Sequence, residues 1–219
     1  MEKPQGDLLL KFGRRDHMEQ LRRDGILYMN TLAYFRKAEQ GVGDPDEGLK
    51  SHYQPTRVNV RITIRDGRSF TWSADDGSLD GPITVRNYAT DQLNVFCMYV
   101  LKWRGEKTLI DKQNLVFGDT YVWITDWRQF FERIDFAVKR ENLHIAKRAV
   151  EYVPRNEHHG VMGAFRKFTG YEHQSEFRFV ISPGFGHPYQ LILGDISDIA
   201  IIGDARDIID KNLEIQLLD

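Results

Sequence analysis

The densest chemical signal in the chain is Gln174-Ser175-Glu176-Phe177-Arg178. On an extended backbone successive side chains alternate. Gln174, Glu176 and Arg178 therefore point one way, and Ser175, Phe177 and Phe179 point the other way, into a core. An amide beside a carboxylate at the start of a strand holds a polar substrate at two points. The plainer account of the same alternation is an antiparallel strand whose outer face meets water. Other patterns are poorer. His158-His159 and His173 lack the spaced partners of a zinc site, and His-Glu-x-x-His does not occur. A Gly-x-Ser-x-Gly elbow and a phosphate loop ending in Gly-Lys-Ser/Thr are also missing. Asp44, Asp46 and Glu47 supply only part of a calcium-loop ligand set and read first as a solvated acidic turn. A metal-dependent nuclease built on them ranks last, and no metal site is expected.

These residues need elements to position them. Asp7–Phe12 reads as a first strand, and Asp16 with Glu19 has capping-box spacing for a short helix that Gly25 ends. Ile26–Asn30 reads as a second strand, with Ile26, Tyr28 and Asn30 on one face and Leu27 and Met29 on the other. A polar, glycine-rich loop runs from Glu39 to Gly48. Val58–Arg65 and Arg68–Trp72 alternate around Asp66-Gly67, a two-residue hairpin signal. Gln92–Trp103 and Thr120–Thr125 are further strands. Asp126 and Gln129 cap a helix over Trp127–Arg140, with Phe130, Phe131, Ile134 and Ala137 on one face. Ala149–Val153 reads as a strand and His159–Phe168 as a short helix. Ser175–Ser182, Tyr189–Leu193 and Ile199–Ile202 are strand-like. A helical stretch at Asp207–Lys211 and a Leu213–Leu218 strand finish the chain. Without regular strand–helix alternation, the pattern predicts a single α+β domain over residues 1–219, of twisted, mainly antiparallel sheets with a few short helices.

Composition narrows the class. The chain has 219 residues, is 41% hydrophobic and 28% charged, which excludes disorder throughout. Its longest apolar run, Val95–Leu101, is far short of the roughly 20 residues a spanning helix needs. Met1–Asp7 lacks the apolar stretch of a signal peptide. Cys97 is the lone cysteine, so no disulfide within the chain is possible. A cytoplasmic protein with no membrane partner is expected. Leu191–Asp219 holds seven acids against two bases, a net −5 that leaves +3 on residues 1–190 of an overall −2. Basic doublets recur there, at Arg14-Arg15, Arg22-Arg23, Arg36-Lys37, Lys139-Arg140, Lys147-Arg148 and Arg166-Lys167. Gathered on one surface they attract phosphates; taken singly each solvates a helix end or loop. Lys102-Trp103-Arg104 and Trp123 with Trp127-Arg128 mix aromatic and basic residues as single-strand binders do, and a strand-rich core uses tryptophans equally well.

In combination the motifs resemble the ADP-ribosyltransferase toxin fold. Gln174-Ser175-Glu176 matches its Gln-x-Glu motif at the start of a core strand. Leu10-Lys11-Phe12-Gly13, a helix, and Gly25-Ile26-Leu27-Tyr28-Met29-Asn30-Thr31 look like its first two elements. Together with the Asp44-Pro45-Asp46-Glu47-Gly48 loop, the set is similar to bacterial phage-defence toxins of toxin–antitoxin–chaperone systems that modify messenger RNA. The likeness spans roughly residues 8–180 and lies in the order of short motifs.

The resemblance implies NAD as co-substrate and gives each residue a role. Glu176 would stabilise the positive charge that develops on ribose as nicotinamide leaves. Gln174 would orient the accepting nucleophile. Gln-x-Glu goes with asparagine or guanine acceptors and disfavours arginine; with the basic doublets it favours a nucleic acid, RNA above others. A protein side chain is an alternative acceptor, and a catalytically silent nucleic-acid- or partner-binding module is the alternative from another class. Lys11, Arg14 and Arg15 are candidates for the NAD pyrophosphate, with Lys11 and Arg14 competing for the first-strand position. Tyr28 could stack on nicotinamide, Asn30 bond the ribose and Tyr34 form an aromatic wall; a core tyrosine and a turn asparagine explain Tyr28 and Asn30 nearly as well. An inhibitory antitoxin partner is implied too.

Overall fold

A computed structural model of the protein describes residues 8–39, 41–101 and 110–209. In chain order the first elements are β1 (Leu8–Gly13), α1 (Arg15–Asp24), β2 (Ile26–Thr31), α2 (Leu32–Lys37) and β3 (Leu49–Tyr53). Next come β4 (Val60–Thr63), β5 (Ser69–Trp72), β6 (Ile83–Arg86), α3 (Tyr88–Asp91), β7 (Asn94–Leu101) and β8 (Thr120–Ile124). The second half holds α4 (Trp127–Arg140), β9 (Ile145–Ala149), β10 (Glu151–Val153), β11 (Gly160–Val161), β12 (Arg166–Phe168), β13 (Glu176–Ile181), β14 (Tyr189–Ile192) and β15 (Ala200–Asp204). The architecture is α+β, with mainly antiparallel sheets and few helices. Among the described residues, no helix is long and apolar enough to cross a membrane.

The eight-stranded sheet turns on β7. One edge of β7 carries β13 from Glu176 opposite Tyr99 to Ile181 opposite Asn94, and β9 lies beyond. The other edge is shared: Thr31 and Asn30 of β2 pair with Asn94 and Val95, and Leu10 to Leu8 of β1 pair with Tyr99 to Leu101. The sheet therefore splits beside Phe96–Met98, with β14 continuing one arm and β8 then β15 the other. One face of β7, with Phe96, Met98 and Val100, packs in the main core against Phe130, Ile134, Ala137 and Val138 of α4. Cross-strand partners share a face, so Glu176 and Arg178 lie with Tyr99 and Cys97 on the opposite one.

Local chemistry explains most boundaries. Asp126 caps α4 by accepting from the Gln129 amide at 2.9 Å, as its spacing predicts. Asp16 does not cap α1; the helix starts one residue earlier, at Arg15, and Asp16 pairs with Arg14 at 2.9 Å. Gly25 ends α1 at φ +61, where a Cβ would lie 1.9 Å from the Gly194 carbonyl oxygen. The hairpin around Asp66-Gly67 has a three-residue loop instead of two: Ile64 donates to the Arg68 carbonyl, and Gly67 at φ +88 fits a glycine bulge. The expected helix over His159–Phe168 is instead β11, a single 3₁₀ turn and β12, because Gly160 and Gly163 hold positive φ and break helical continuity. Of the expected helical stretch Asp207–Lys211, the described part meets only the end of a 3₁₀ turn over Ala205–Asp207, and Asp210 and Lys211 lie outside the described residues. The expected strand Leu213–Leu218 and the Lys102-Trp103-Arg104 cluster lie outside the described residues.

Candidate functional site

Strand β13 opens on a strained corner. Ser175 sits at φ 37, in the left-handed region rare for residues other than glycine, and its hydroxyl donates to the Val100 carbonyl at 2.6 Å. Gln174 closes a 3₁₀ turn just before it. The Glu176 amide donates to the Tyr152 hydroxyl at 3.0 Å. This corner fixes both side chains that the motif singles out.

Gln174 and Glu176 are then tied together by a residue that the sequence reading left in a surface doublet. Lys167 Nζ donates to Gln174 Oε1 at 2.7 Å and to Glu176 Oε1 at 2.6 Å. Arg178 Nε takes the other Glu176 oxygen at 2.7 Å. Its two terminal nitrogens grip Glu47 bidentately at 2.9 and 2.8 Å, and one also donates to the Ala164 carbonyl. Glu47, Lys167, Glu176 and Arg178 are all buried, so two carboxylates and two cations form a neutral network inside the protein.

The acidic loop is thus not a solvated turn. Gly43 lets it press on α2, since a Cβ there would lie 2.4 Å from the Ala38 carbonyl oxygen. Arg86 braces it by donating to the Glu47 and Pro45 carbonyls at 2.8 and 2.7 Å. Asp44 and Glu47 consequently turn inward, while Asp46 pairs with Arg155. Among the described residues, no group of three or more His, Cys, Asp or Glu side chains could hold a metal.

Electrostatics follow from this packing. Burial alone would raise the carboxyls of Glu47 and Glu176, but Arg178 and then Lys167 outweigh it and hold both below the ordinary range. Burial likewise disfavours charged Lys167, and Glu176 and Glu47 reverse that, so its pKa is raised. At Asp44 Lys167 and Arg178 act in the same sense but do not reverse the effect of burial. Burial first, then the charge of Glu47, pushes its carboxyl up to about 6. Burial pushes the Cys97 thiol up to about 12, which fits a packed side chain and not a nucleophile.

Gln174 and Glu176 face a cavity of about 90 Å³ with Lys11, Phe35, Cys97 and Lys167 also on its wall. Two groups there are unspent. Lysine has no acceptor atom, so Lys167 fixes the Gln174 carbonyl toward itself and leaves Nε2 buried without a hydrogen-bond partner. Lys11 Nζ rests 5.1 Å from the Phe96 ring centroid and has no acidic partner among the described residues; burial lowers its pKa. Outside lies an open concavity of about 860 Å³ between Gly41–Pro45, Gln113–Val116 and Gly170–His173. The same three segments supply Val42, Asn114 and Gln174 to the inner cavity. Only the outer space falls in the roughly 300–1,000 Å³ range of small-molecule sites.

Of the eight site residues expected from sequence, three meet here: Gln174, Glu176 and Lys11. Tyr28 and Asn30 share the sheet face of Glu176, since Asn30 pairs with Val95, but they lie across the split and line neither concavity. Tyr34 is half exposed on α2 and also lines neither. Arg14 and Arg15 are exposed and paired with Asp16 and Glu19, because the turn into α1 carries them out to solvent. Glu47, Lys167 and Asp44 are the residues that sequence reasoning missed. Strand alternation gives no clean signal for Lys167, since Arg166 is partly exposed while both Lys167 and Phe168 are buried.

No family model, no curated protein and no solved structure matches the chain.

Proposed function

We propose that the protein transfers ADP-ribose from NAD to a nucleic acid, with RNA as the acceptor. The observation that carries this reading is the convergence of Gln174, Glu176 and the unpaired Lys11 on one cavity at the split of the sheet. The split sheet itself agrees with an ADP-ribosyltransferase-like fold. The outer concavity has room for a dinucleotide. Within the inner cavity Lys11 offers a donor to a phosphate oxygen, and Gln174 Nε2 a buried donor to an incoming oxygen or ring nitrogen.

The reaction asks little covalent chemistry of the protein. The bond from ribose C1′ to the nicotinamide nitrogen breaks, its electron pair leaves with neutral nicotinamide, and the sugar becomes cationic. Glu176 is held ionised, so it acts by charge; its low pKa makes it a poor base. A carboxylate offers about four acceptor positions. Lys167 and Arg178 use two, which leaves capacity for a ribose hydroxyl. The acceptor then bonds to C1′ and releases its proton to water.

A second reading rests on a specific observation. Both Glu176 oxygens already bind buried cations, and the inner cavity is small, as in a silent binding module on a similar fold. Incubation with NAD labelled on its adenylate phosphate and total RNA separates the two. The transferase reading expects label that nuclease releases and protease does not. Glu176→Gln should lower transfer by roughly 100–1,000-fold, the usual effect of removing one charge-stabilising group. Glu176→Asp keeps the network's charge, withdraws the carboxylate by one methylene and serves as the folded control. Full transfer by both variants, or no heat on NAD titration of the native chain, overturns the assignment.

A further inference from the structure

The β4–β5 hairpin is built unlike the rest of the molecule. Its strands pair only with each other, and every residue from Arg61 to Thr71 is exposed. The register sets Val60 opposite Trp72 and Ile62 opposite Phe70 on one face, and Ile64 extends it through its bond to Arg68. The Phe70 and Trp72 ring centroids lie 6.3 Å apart with their planes 31° from parallel. Arg61, Thr63, Ser69 and Thr71 form the other face. Between Arg57 and Trp72 there are four arginines and one acid. Asp66 is taken by Arg68 at 2.7 Å, and Arg57, Arg61 and Arg65 have no acidic partner among the described residues.

We infer that this hairpin is a docking arm for single-stranded RNA, with bases stacking on Phe70 and Trp72 and phosphates held by Arg57, Arg61 and Arg65. Sequence-tolerant single-strand binders combine stacking platforms with a cationic track for the backbone. Here the rings occupy one face, and Arg61 on the other face, Arg65 at the tip and Arg57 just before β4 supply the cations. The charge pattern decides against a second copy of this chain. Edge-to-edge pairing of two copies would set arginine-rich ribbons side by side, and like charge in such a contact is costly. The acids of the next loop, Asp75, Asp76 and Asp80, follow Trp72 and so come after the hairpin's base, away from Arg65 at its tip; there Asp76 accepts from the Ser78 amide at 2.9 Å. The choice of RNA rests on the acceptor proposed above, but binding is measured without NAD and so stands or falls separately.

The test is fluorescence anisotropy of the full chain with a labelled 20-nucleotide mixed-sequence RNA, single-stranded and as a duplex. The native protein should prefer the single strand. The double variant Phe70→Ala with Trp72→Ala should bind it at least about tenfold more weakly, since each stacked base contributes about 5- to 150-fold. The triple variant Arg57→Ala, Arg61→Ala, Arg65→Ala should reduce the slope of log affinity against log salt by about 2, three phosphates at roughly 0.7 each. Lys139→Ala, at an exposed position near the end of α4, should stay within about twofold. Native-like binding by both hairpin variants overturns the inference, as does failure of the native chain to bind RNA. A native dimer that the double variant converts to monomer in sedimentation would reassign the face to self-association and overturn it too. Loss of transfer with intact, hairpin-dependent binding would instead remove only the enzyme reading.

Discussion

The ion network behind β13 and the β4–β5 hairpin invert the ordinary division between inside and outside. Arg178 and Glu47 are 1% and 2% exposed, whereas Ile62 and Phe70 are 52% and 46% exposed. Neither choice is what stability alone selects. A buried ion network replaced by packed apolar groups of the same volume is often as stable or more so. A lone two-stranded hairpin is marginal in water. Both of these departures of burial from side-chain type carry a functional proposal, as expected where a sequence departs from local consistency. The network is closed on itself, so cutting it damages the protein; the hairpin is open, so cutting it should damage only what docks there.

Arg178→Met breaks this contrast most severely if it fails. The substitution leaves Glu47 and Glu176 buried with only Lys167 between them, and breaking a buried pair typically costs about 3–5 kcal/mol. At roughly 2–4 °C per kcal/mol for a chain of this size, thermal unfolding should shift down by about 6–20 °C. A shift below about 2 °C would mean that the network is not the tightly coupled unit its distances describe.

How much of this was legible beforehand depends on where each residue's partner lies in the chain. Helix α4 and its Asp126 cap were readable because cap, period and apolar face sit within fourteen residues. The Glu176/Arg178 alternation was readable for the same reason. Its burial was not, because the partner of Arg178 is Glu47, 131 positions away. Lys167 was hidden by a local ambiguity: Gly160 and Gly163 turn a segment with helical spacing into two short strands. Tyr28 was placed on the correct face, yet which side of the split it occupies depends on β2 and β1 sharing one edge of β7. No spacing within β2 encodes that.

A smaller, sign-specific effect separates Asp44 from its neighbours. Its carboxyl is raised from 3.8 to about 6, so the folded state holds its proton more tightly than the unfolded chain. The stability this lends is full below pH 3.8 and is lost as pH rises through about 6. Glu47 and Glu176 are lowered, so theirs is present above pH 4.5 and lost as pH falls below it. Asp44→Asn keeps an oxygen for the Asp46 amide, which now donates to Asp44 at 2.8 Å, and removes the buried charge. A rise of about two units at 1.36 kcal/mol each predicts a gain of roughly 2–3 kcal/mol at pH 7.5, shrinking toward pH 5. Denaturant unfolding at both pH values measures it, and a variant less stable than the native chain at pH 7.5 would contradict the dominance of burial over Lys167 and Arg178 at Asp44.

The smallest expected effect is the most discriminating. Phe70→Ser places a polar group where a half-exposed aromatic ring now meets solvent on a hairpin whose strands pair only with each other among the described residues. A truncated core phenylalanine costs about 3–5 kcal/mol because a cavity remains and apolar area is lost to water. Phe70 is 46% exposed, beside Trp72 and opposite Ile62 across the hairpin, so its truncation leaves no closed cavity. Unfolding free energy should change by no more than about 0.5 kcal/mol, the ordinary range for surface positions. A loss of 2 kcal/mol or more would show that Phe70 is covered in the free protein. The hairpin would then be part of the packed structure, and the inversion that sets it against the buried network would disappear.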